Sequence, residues 1–366
     1  MAPPDHAFPG LPQPSKPPSV KGFDEETAAL APQDQAEGAW TAIEAAPELG
    51  LYGYFTSAVS ATAVASTTGI AVSHAATDAT VLAIAASERE SGYAEATSWR
   101  AGELDPAEVA REAVEKARRT RDAEEVEPGT FRAVLEPYAF AELLWYFAAT
   151  SLGALALLEG RSYFSGRLGE PLFHPSFSLA DDGLDPAGFP RPFDFEGVPK
   201  QRLALVEEGV ARDVVWDRRT GKRGGHDSTG HALPPAAQAA GPLPLNLSVA
   251  PGERSVEELA QAVGEGIHVT RLHYLGVVDP REGIITGMTR DGTFRIEDGR
   301  VTAPLLNLRF TTSFPALVER LLGLGREVKL TNLSDFYDER MPHAALVPAI
   351  ATEALTIDGP GSSPGL

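Results

Sequence analysis

One stretch limits the possible folds more than any other. From Pro137 to Leu158 the chain reads PYAFAELLWYFAATSLGALALL, and Glu142 is its only charge. Such a run either crosses a membrane or is buried in protein, because water penalises its exposure by roughly 25 cal/mol per Å2 of apolar surface. Ala, Gly, Ser and Thr make up much of it, it stands alone, and Glu136 and Glu159 flank it where a span would carry Lys or Arg. It therefore predicts a long buried core helix opened by Pro137, and no membrane partner.

The rest of the chain has to build a core around that helix. With 366 residues, 43% of them apolar and 22% charged, it has the material of a folded protein of two or more ordinary domains. A net charge of −20 repels phosphate backbones and argues against nucleic acid as a partner. The one basic run, Arg218-Arg219-Thr220-Gly221-Lys222-Arg223, is short, lacks interleaved aromatics and reads as an exposed loop. The absence of cysteine excludes disulfides, thiolate nucleophiles and Cys-ligated metals. The opening MAPPDHAFPGLPQPSKPP lacks the basic segment and apolar run of a signal peptide.

Residues 1–22 are rich in Pro and read as a disordered tail. An N-terminal region follows over 23–125. It begins with one or two short helices within 25–48. A hairpin over 51–66 and 70–87 is broken at Thr67-Thr68-Gly69, and 91–99 adds a third antiparallel strand. Asp105-Pro106 then caps and opens a helix over 106–121. The C-terminal domain, 126–366, starts with the strand-like FRAVLE and the long apolar helix. Beyond it the pattern predicts a turn at Asp181-Asp182-Gly183, a strand over 201–206, a loop around 221–238 and a short strand at 246–249. Ser255 with Glu258 forms a capping box for a helix through Ala262. Strands over 267–278, 284–289, 293–297 and 300–310 are separated by turns at 279–283, Asp291-Gly292 and Asp298-Gly299. A helix over 314–324 and a strand over 349–357 complete the order, which is α+β with a mixed, mostly antiparallel, β-rich C-terminal domain.

Few residues point to chemistry on their own. There is no Gly-x-Ser-x-Gly elbow, His-Glu-x-x-His motif, P-loop or dinucleotide fingerprint. His226 with His231, and His268 with His273, are each spaced by five, which puts paired side chains on opposite faces of a strand. They read as surface or packing histidines. Asp181-Asp182 fits a turn better than an acid–base pair. Ser228-Thr229-Gly230-His231 is polar and Gly-bearing, and Ser228 and His231 could pair for nucleophilic work.

Several segments together resemble one family. They are Ser162–Glu170 (SYFSGRLGE), Asp181-Asp182, Phe193–Pro199 (FDFEGVP), Leu203–Gly209 (LALVEEG), Ser228–Ala232 (STGHA), Asn246-Leu247 before Pro251-Gly252, and Thr286-Gly287 through Asp298-Gly299. In order and spacing they resemble the TldD/PmbA family of modulator-of-gyrase proteins, from about residue 100 to the end and more weakly over 25–100. That resemblance implies a metalloprotease subunit paired with a homologous partner, in the cytoplasm, acting on peptides by leader removal or degradation. The active subunits carry His-Glu-x-x-x-His on a helix before the Ser-x-Phe-x-Gly segment, plus a Cys near the C-terminus. Counting back from Ser162, the motif falls on Trp145, Tyr146 and Thr150, where neither histidine nor the glutamate is present. An indole has no lone pair for a metal and a threonine hydroxyl is a poor zinc ligand.

The chain therefore resembles the TldE/PmbA-type non-catalytic partner. No catalytic or metal-binding residue and no cofactor is expected in it, and zinc is expected in a TldD-like partner subunit. Ser228, Thr229, Gly230 and His231 remain as substrate-binding candidates. The N-terminal α/β region reads as truncated relative to the family, with the Pro-rich tail in its place. Two other readings stay open: a stand-alone hydrolase using Ser228 with His231, or His226 with Asp181 or Asp182 and a metal, and a homodimeric peptide-binding module.

Overall fold

The structure, a computed structural model, describes residues 8–334 and 340–361. Of the Pro-rich segment expected to be disordered, residues 1–7 lie outside the described residues. Residues 8–22 run instead as an irregular strap. Lys222 Nζ donates to Phe8 O (2.7 Å), Arg218 Nη1 to Gly10 O (2.7 Å) and Thr68 Oγ1 to Pro12 O (2.6 Å), so backbone carbonyls of the strap are bonded by side chains of the body of the protein. The basic run is thus partly consumed at home. It forms a short helix capped by Asp217, whose carboxylate accepts from Thr220 N (2.7 Å), where the sequence suggested a loop.

Helices α1 (Glu25–Ala29) and α2 (Pro32–Ala45) precede a three-stranded antiparallel sheet of β1 (Gly50–Ala65), β2 (Ala71–Ala86) and β3 (Ser91–Ser98). β1 and β2 pair without a slip from Gly50 opposite Ala86 to Ala65 opposite Ala71, around the expected break. Alternation sorts the two faces. Val81, Ala83, Ala85 and Ala94 pack on Val109, Ala110, Ala113, Val114 and Ala117 of α3 (Pro106–Arg118), whose Asp105 caps Ala107 N and Glu108 N.

The larger sheet uses β4 (Gly129–Leu135) and, beyond helices α4 (Pro137–Ser151) and α5 (Ala154–Leu158), strands β5 (Leu179–Asp182), β6 (Arg202–Glu207) and β7 (Val210–Ala211). Next come α6 (Arg218–Gly224), β8 (Asn246–Val249), α7 (Val256–Val263), β9 (Gly266–Asp279), β10 (Ile284–Glu297), β11 (Arg300–Pro304), β12 (Leu308–Ser313), α8 (Phe314–Glu319), β13 (Leu321–Asn332) and β14 (Ala344–Pro360). The order is β11-β10-β9-β4-β14-β8-β5-β6-β7, with β12 paired to both β10 and β14 and β13 paired to β14. The circuit β10-β9-β4-β14-β12-β10 therefore closes on itself as a small barrel, from which the sheet continues through β8. The architecture is α+β.

Three expectations need correction. The long helix breaks after Ser151, because Gly153 makes a strand-like bridge to Val215: Val215 N donates to Leu152 O (2.8 Å) and Ala154 N to Val215 O (2.9 Å). A Cβ at Gly153 would meet Pro242 O at 2.4 Å, so only glycine fits that approach. Asp291-Gly292 is no hairpin turn. Its positive φ values (56° and 132°) make a bulge inside the continuous strand β10. The helix predicted over 314–324 stops at Glu319, and Leu321 begins a strand that pairs with β14.

α4 is the centre of the main core. Phe147 lies 4.5 Å from the Phe314 ring, stacked on it, and makes edge contacts with Tyr163, Phe164 and Phe173. Burying a ring on all sides in this way is worth about 3–5 kcal/mol against truncation to Ala. The Ser162–Glu170 segment closes the helix's C-terminal end: Ser162 Oγ donates to Ser151 O (2.6 Å) and accepts from Phe164 N (2.9 Å).

Candidate functional site

Nearly every α4 side chain is buried except one strip, Glu142, Trp145, Tyr146, Ala149 and Thr150. Spacings of three and four put these on one face. This is the helix position to which the sequence assigned Trp145, Tyr146 and Thr150. Trp145 packs its indole on His343, with ring centres 4.5 Å apart. Thr150 Oγ1 is spent on its own helix, donating to Tyr146 O (3.0 Å) or Phe147 O (3.2 Å). Burial, with Glu142 nearby, pushes the Tyr146 phenol up, so it stays protonated.

These residues do not fit a zinc ion: the strip offers no imidazole, no thiolate and no ionised oxygen at the motif positions. Among the described residues no group of three or more His, Cys, Asp or Glu is placed to hold a metal. Glu142 is the strip's one carboxyl, and sequence reasoning passed over it. Its Oε2 is sealed from solvent without a hydrogen-bond partner, and burial raises it to about 8. The lone charge in an apolar run was the available signal.

Asp181, expected in a turn, is a fully buried residue of β5. His231 Nε2 donates to its Oδ1 (2.8 Å), Asn246 N donates to Oδ2 (2.8 Å) and Lys200 Nζ lies 3.5 Å from Oδ1. Burial alone would raise the Asp181 carboxyl, but the Lys200 ammonium and the His231 imidazole outweigh it and hold it well below the carboxylate range. Burial first, and Lys200 second, lower His231, which is therefore neutral. Its Nε2 carries the proton because Asp181 can only accept. Its Nδ1 then accepts from Thr229 Oγ1 (2.8 Å), which itself accepts from Trp216 N (2.8 Å).

Ser228, the proposed partner of His231, turns to Trp216 O (3.2 Å) instead. Thr229, Gly230 and His231 are all buried, and this group ties β5, β8 and the segment after α6 together. Asp182 accepts from Leu184 N (3.1 Å) and supplies the turn that was expected of both aspartates.

The remaining histidines separate. His226 stacks on Trp216 with ring centres 4.2 Å apart, far in role from the buried His231. His268 donates through Nε2 to Glu136 (2.8 Å), while His273 packs beside Tyr274. Glu136, at the N-terminus of α4, also binds Lys116 (2.8 Å). Burial would raise it, but Lys116 and His268 outweigh that and hold it well below its usual range. This pairing fastens α3 to the barrel.

A concavity lies elsewhere on the molecule. A cavity of about 340 Å3 opens between the β1–β2 hairpin, the 189–195 loop and Arg340–Pro342, the segment that leads to His343.

A closed barrel continued into a mixed sheet, with a helix-backed hairpin sheet beside it, is the fold of solved modulator-of-gyrase proteins. TldE from Thermococcus kodakarensis superposes with a TM-score of 0.83 at 20% identity, over 97% of this chain and 81% of that one. A modulator of DNA gyrase from Thermotoga maritima gives 0.81 at 21% identity, over 94% and 78%. The chain belongs to the PmbA/TldA metallopeptidase family: the C-terminal domain model matches residues 128–359 and the central domain model residues 23–121. A metalloprotease of Methanothermobacter thermautotrophicus is 28% identical over 231 residues, 61% of this chain and 49% of that protein. A TldD homologue of Haemophilus influenzae is 23% identical over 203 residues, 54% and 42%. The chain spans about half the length of the curated relatives it matches. No helix among the described residues is long and apolar enough to cross a membrane.

Proposed function

We propose that this chain is the non-catalytic subunit of a TldD/TldE-type heterodimeric metallopeptidase. It works in the cytoplasm beside a zinc-bearing, TldD-like homologue and helps hold peptides for leader removal or degradation. One observation carries the reading. The open strip of α4, where the family's catalytic residues would stand, bears an indole, a neutral phenol and a hydroxyl bonded to its own helix. Family membership and the fold likeness to an archaeal TldE support it. A self-sufficient hydrolase built on His231 is disfavoured, because that imidazole is buried and both its nitrogens are engaged.

Co-expression with a TldD-like homologue from the same genome tests the reading. The expected result is a co-purifying pair with zinc in the homologue, and peptide hydrolysis that EDTA abolishes. The isolated chain is expected to hold no stoichiometric zinc by metal analysis and to cleave no peptide. A chain that elutes alone beside an active homologue, or that hydrolyses peptides by itself, would overturn it.

A further inference from the structure

Strands β9 and β10 carry two bulges with a short patch between them. In the first, Tyr274 and Leu275 stand against Gly287; in the second, Asp291 and Gly292 stand against Thr270. Between them the register pairs His273 with Met288, Leu272 with Thr289 and Arg271 with Arg290. Leu272 and Thr289 are buried, so alternation puts the two arginines, His273 and Met288 together on the other face. Tyr274 has φ 51° and Asp291 φ 56°, and Tyr274 is the only aromatic residue at positive φ among the described residues. A bulky residue in that conformation is a genuine outlier, and such strain gathers at sites of function.

The charges on this patch do not balance. Like charges directly opposite each other on paired strands destabilise a sheet, and Arg271 and Arg290 stand in that relation. The second bulge brings one carboxylate to both. Arg271 Nη1 donates to Asp291 Oδ2 (2.6 Å), while Arg290 Nε lies 3.9 Å from Asp291 Oδ1. Arg271 is further engaged, its guanidinium lying over the Tyr93 ring at 4.0 Å. The Arg290 guanidinium has no hydrogen-bond partner among the described residues, and its side chain is 37% exposed. Burial and the two arginines lower His273, so that ring adds no charge. Glu142 and Glu95, the other carboxyls near Arg271, are raised by burial to about 8 and about 7, so neither is a full counter-charge at neutral pH. Two guanidiniums against one ionised carboxylate leave a single positive charge, in a chain whose net charge is −20.

We propose that Arg290, with Arg271 opposite it, is a carboxylate-binding subsite for a peptide, whether that carboxylate is the peptide's C-terminus or an Asp or Glu side chain. The guanidinium is a planar fork of N–H donors that matches a carboxylate with two parallel hydrogen bonds. A single excess charge beside Asp291 suits a singly charged anion and not a doubly charged phosphate. Tyr274, 77% exposed and packed on His273, offers the adjoining part of the peptide an apolar surface. The proposal rests on the peptide-handling reading above and names the charge that this subunit selects.

The test titrates the isolated full chain with three N-acetylated pentapeptides: penta-alanine as the free acid, penta-alanine as the C-terminal amide, and Ac-Ala-Ala-Asp-Ala-Ala-NH2. Ligand-observed NMR or calorimetry reads the binding. The free acid, the Asp peptide or both are expected to bind saturably and about tenfold more tightly than the neutral amide, the worth of charge-assisted hydrogen bonds at a partly exposed site. Which of the two does so tells a chain terminus from an acidic side chain. High salt should weaken that preference. Arg290→Gln should erase it and melt no lower than the wild type, because the substitution also relieves the opposed charges. An arginine kept only for its ion pair would lower the melting temperature when lost. If Arg290→Gln does not fold, His273→Glu sets a carboxylate of the chain's own beside both arginines, and should raise the melting temperature and erase the preference in the same way. Equal binding of all three peptides, no saturable binding, or an acid preference that survives in either folded variant overturns the proposal. Because no partner subunit is present, a missing preference beside an intact heterodimer sinks the subsite alone. An acid preference without a heterodimer sinks only the subunit assignment.

Discussion

Two regions of this molecule hold each other's expected contents. The outer strip of α4 is half-buried; Trp145, Tyr146 and Thr150 offer no metal ligand there, and its one carboxyl, Glu142, is held protonated. The Asp181–Lys200–His231 group has the carboxylate, ammonium and imidazole of a reaction centre, yet its side chains are 0–4% exposed. Chemistry needs reactive groups and access together. Here each region has one of the two. Catalytic-looking side chains can be retained as a structural hub because a buried, fully paired carboxylate joins segments distant in sequence. Aromatic side chains can occupy the outer strip of α4 without disturbing the helix, because the opposite face carries the core.

The hub is where the contrast breaks most visibly. Asp181→Ala leaves the Lys200 ammonium buried without its partner and orphans His231 Nε2–H and Asn246 N–H. The expected loss is about 3–5 kcal/mol in urea or thermal unfolding. The pH dependence has a definite sign. Because the native carboxyl lies well below its unfolded value, its contribution is fully present above about pH 4 and is lost as pH falls through the acid range toward the native value. The Asp181→Ala curve should therefore run parallel to the wild type above pH 5 and converge on it in acid. Unchanged stability at pH 7 would mean that the group is not a hub.

The open strip gives the opposite sign at its one carboxyl. Glu142, raised to about 8, holds a proton in the native state that the unfolded chain releases above about pH 4. Stability is thereby eroded as pH rises from about 4 to 8. Glu142→Gln removes that erosion and is expected to stabilise the chain by on the order of 2 kcal/mol at pH 8. That is less than the full shift implies, because the residue is partly exposed. The gain should shrink toward zero near pH 4, read from melting temperatures across the range. A variant less stable than the wild type at pH 8 would show that Glu142 is ionised and paired.

Much of this was legible in the sequence where local chemistry decides local structure. The hairpin at Thr67-Thr68-Gly69, the caps at Asp105 and Ser255 and the turn at Asp298-Gly299 each follow from a few adjacent residues. What failed depends on partners far along the chain. Asp291-Gly292 makes a turn in isolation, but β9 pairs on both sides of it and turns it into a bulge. Gly153 breaks the long helix only because Val215 arrives beside it. The group at Asp181 joins residues 19, 50 and 65 positions away, so no spacing rule could assemble it. Ser228 and Thr229 are adjacent, and only the fold decides which hydroxyl reaches His231.

That last choice makes the smallest and most discriminating test. Ser228 Oγ donates to Trp216 O at 3.2 Å and accepts from Gly230 N at 3.2 Å, at a partly exposed position where water can replace it. Ser228→Ala is therefore expected to cost less than about 1 kcal/mol in denaturant unfolding and, in the proposed heterodimer, to leave peptide hydrolysis unchanged. A serine that served His231 as a nucleophile would behave otherwise: its loss would remove activity by orders of magnitude with little effect on stability. Folded Ser228→Ala protein that pairs with its homologue but hydrolyses peptides poorly would move this residue from the hub's rim into the chemistry. It would also erase the separation between the two regions that the rest of the structure draws.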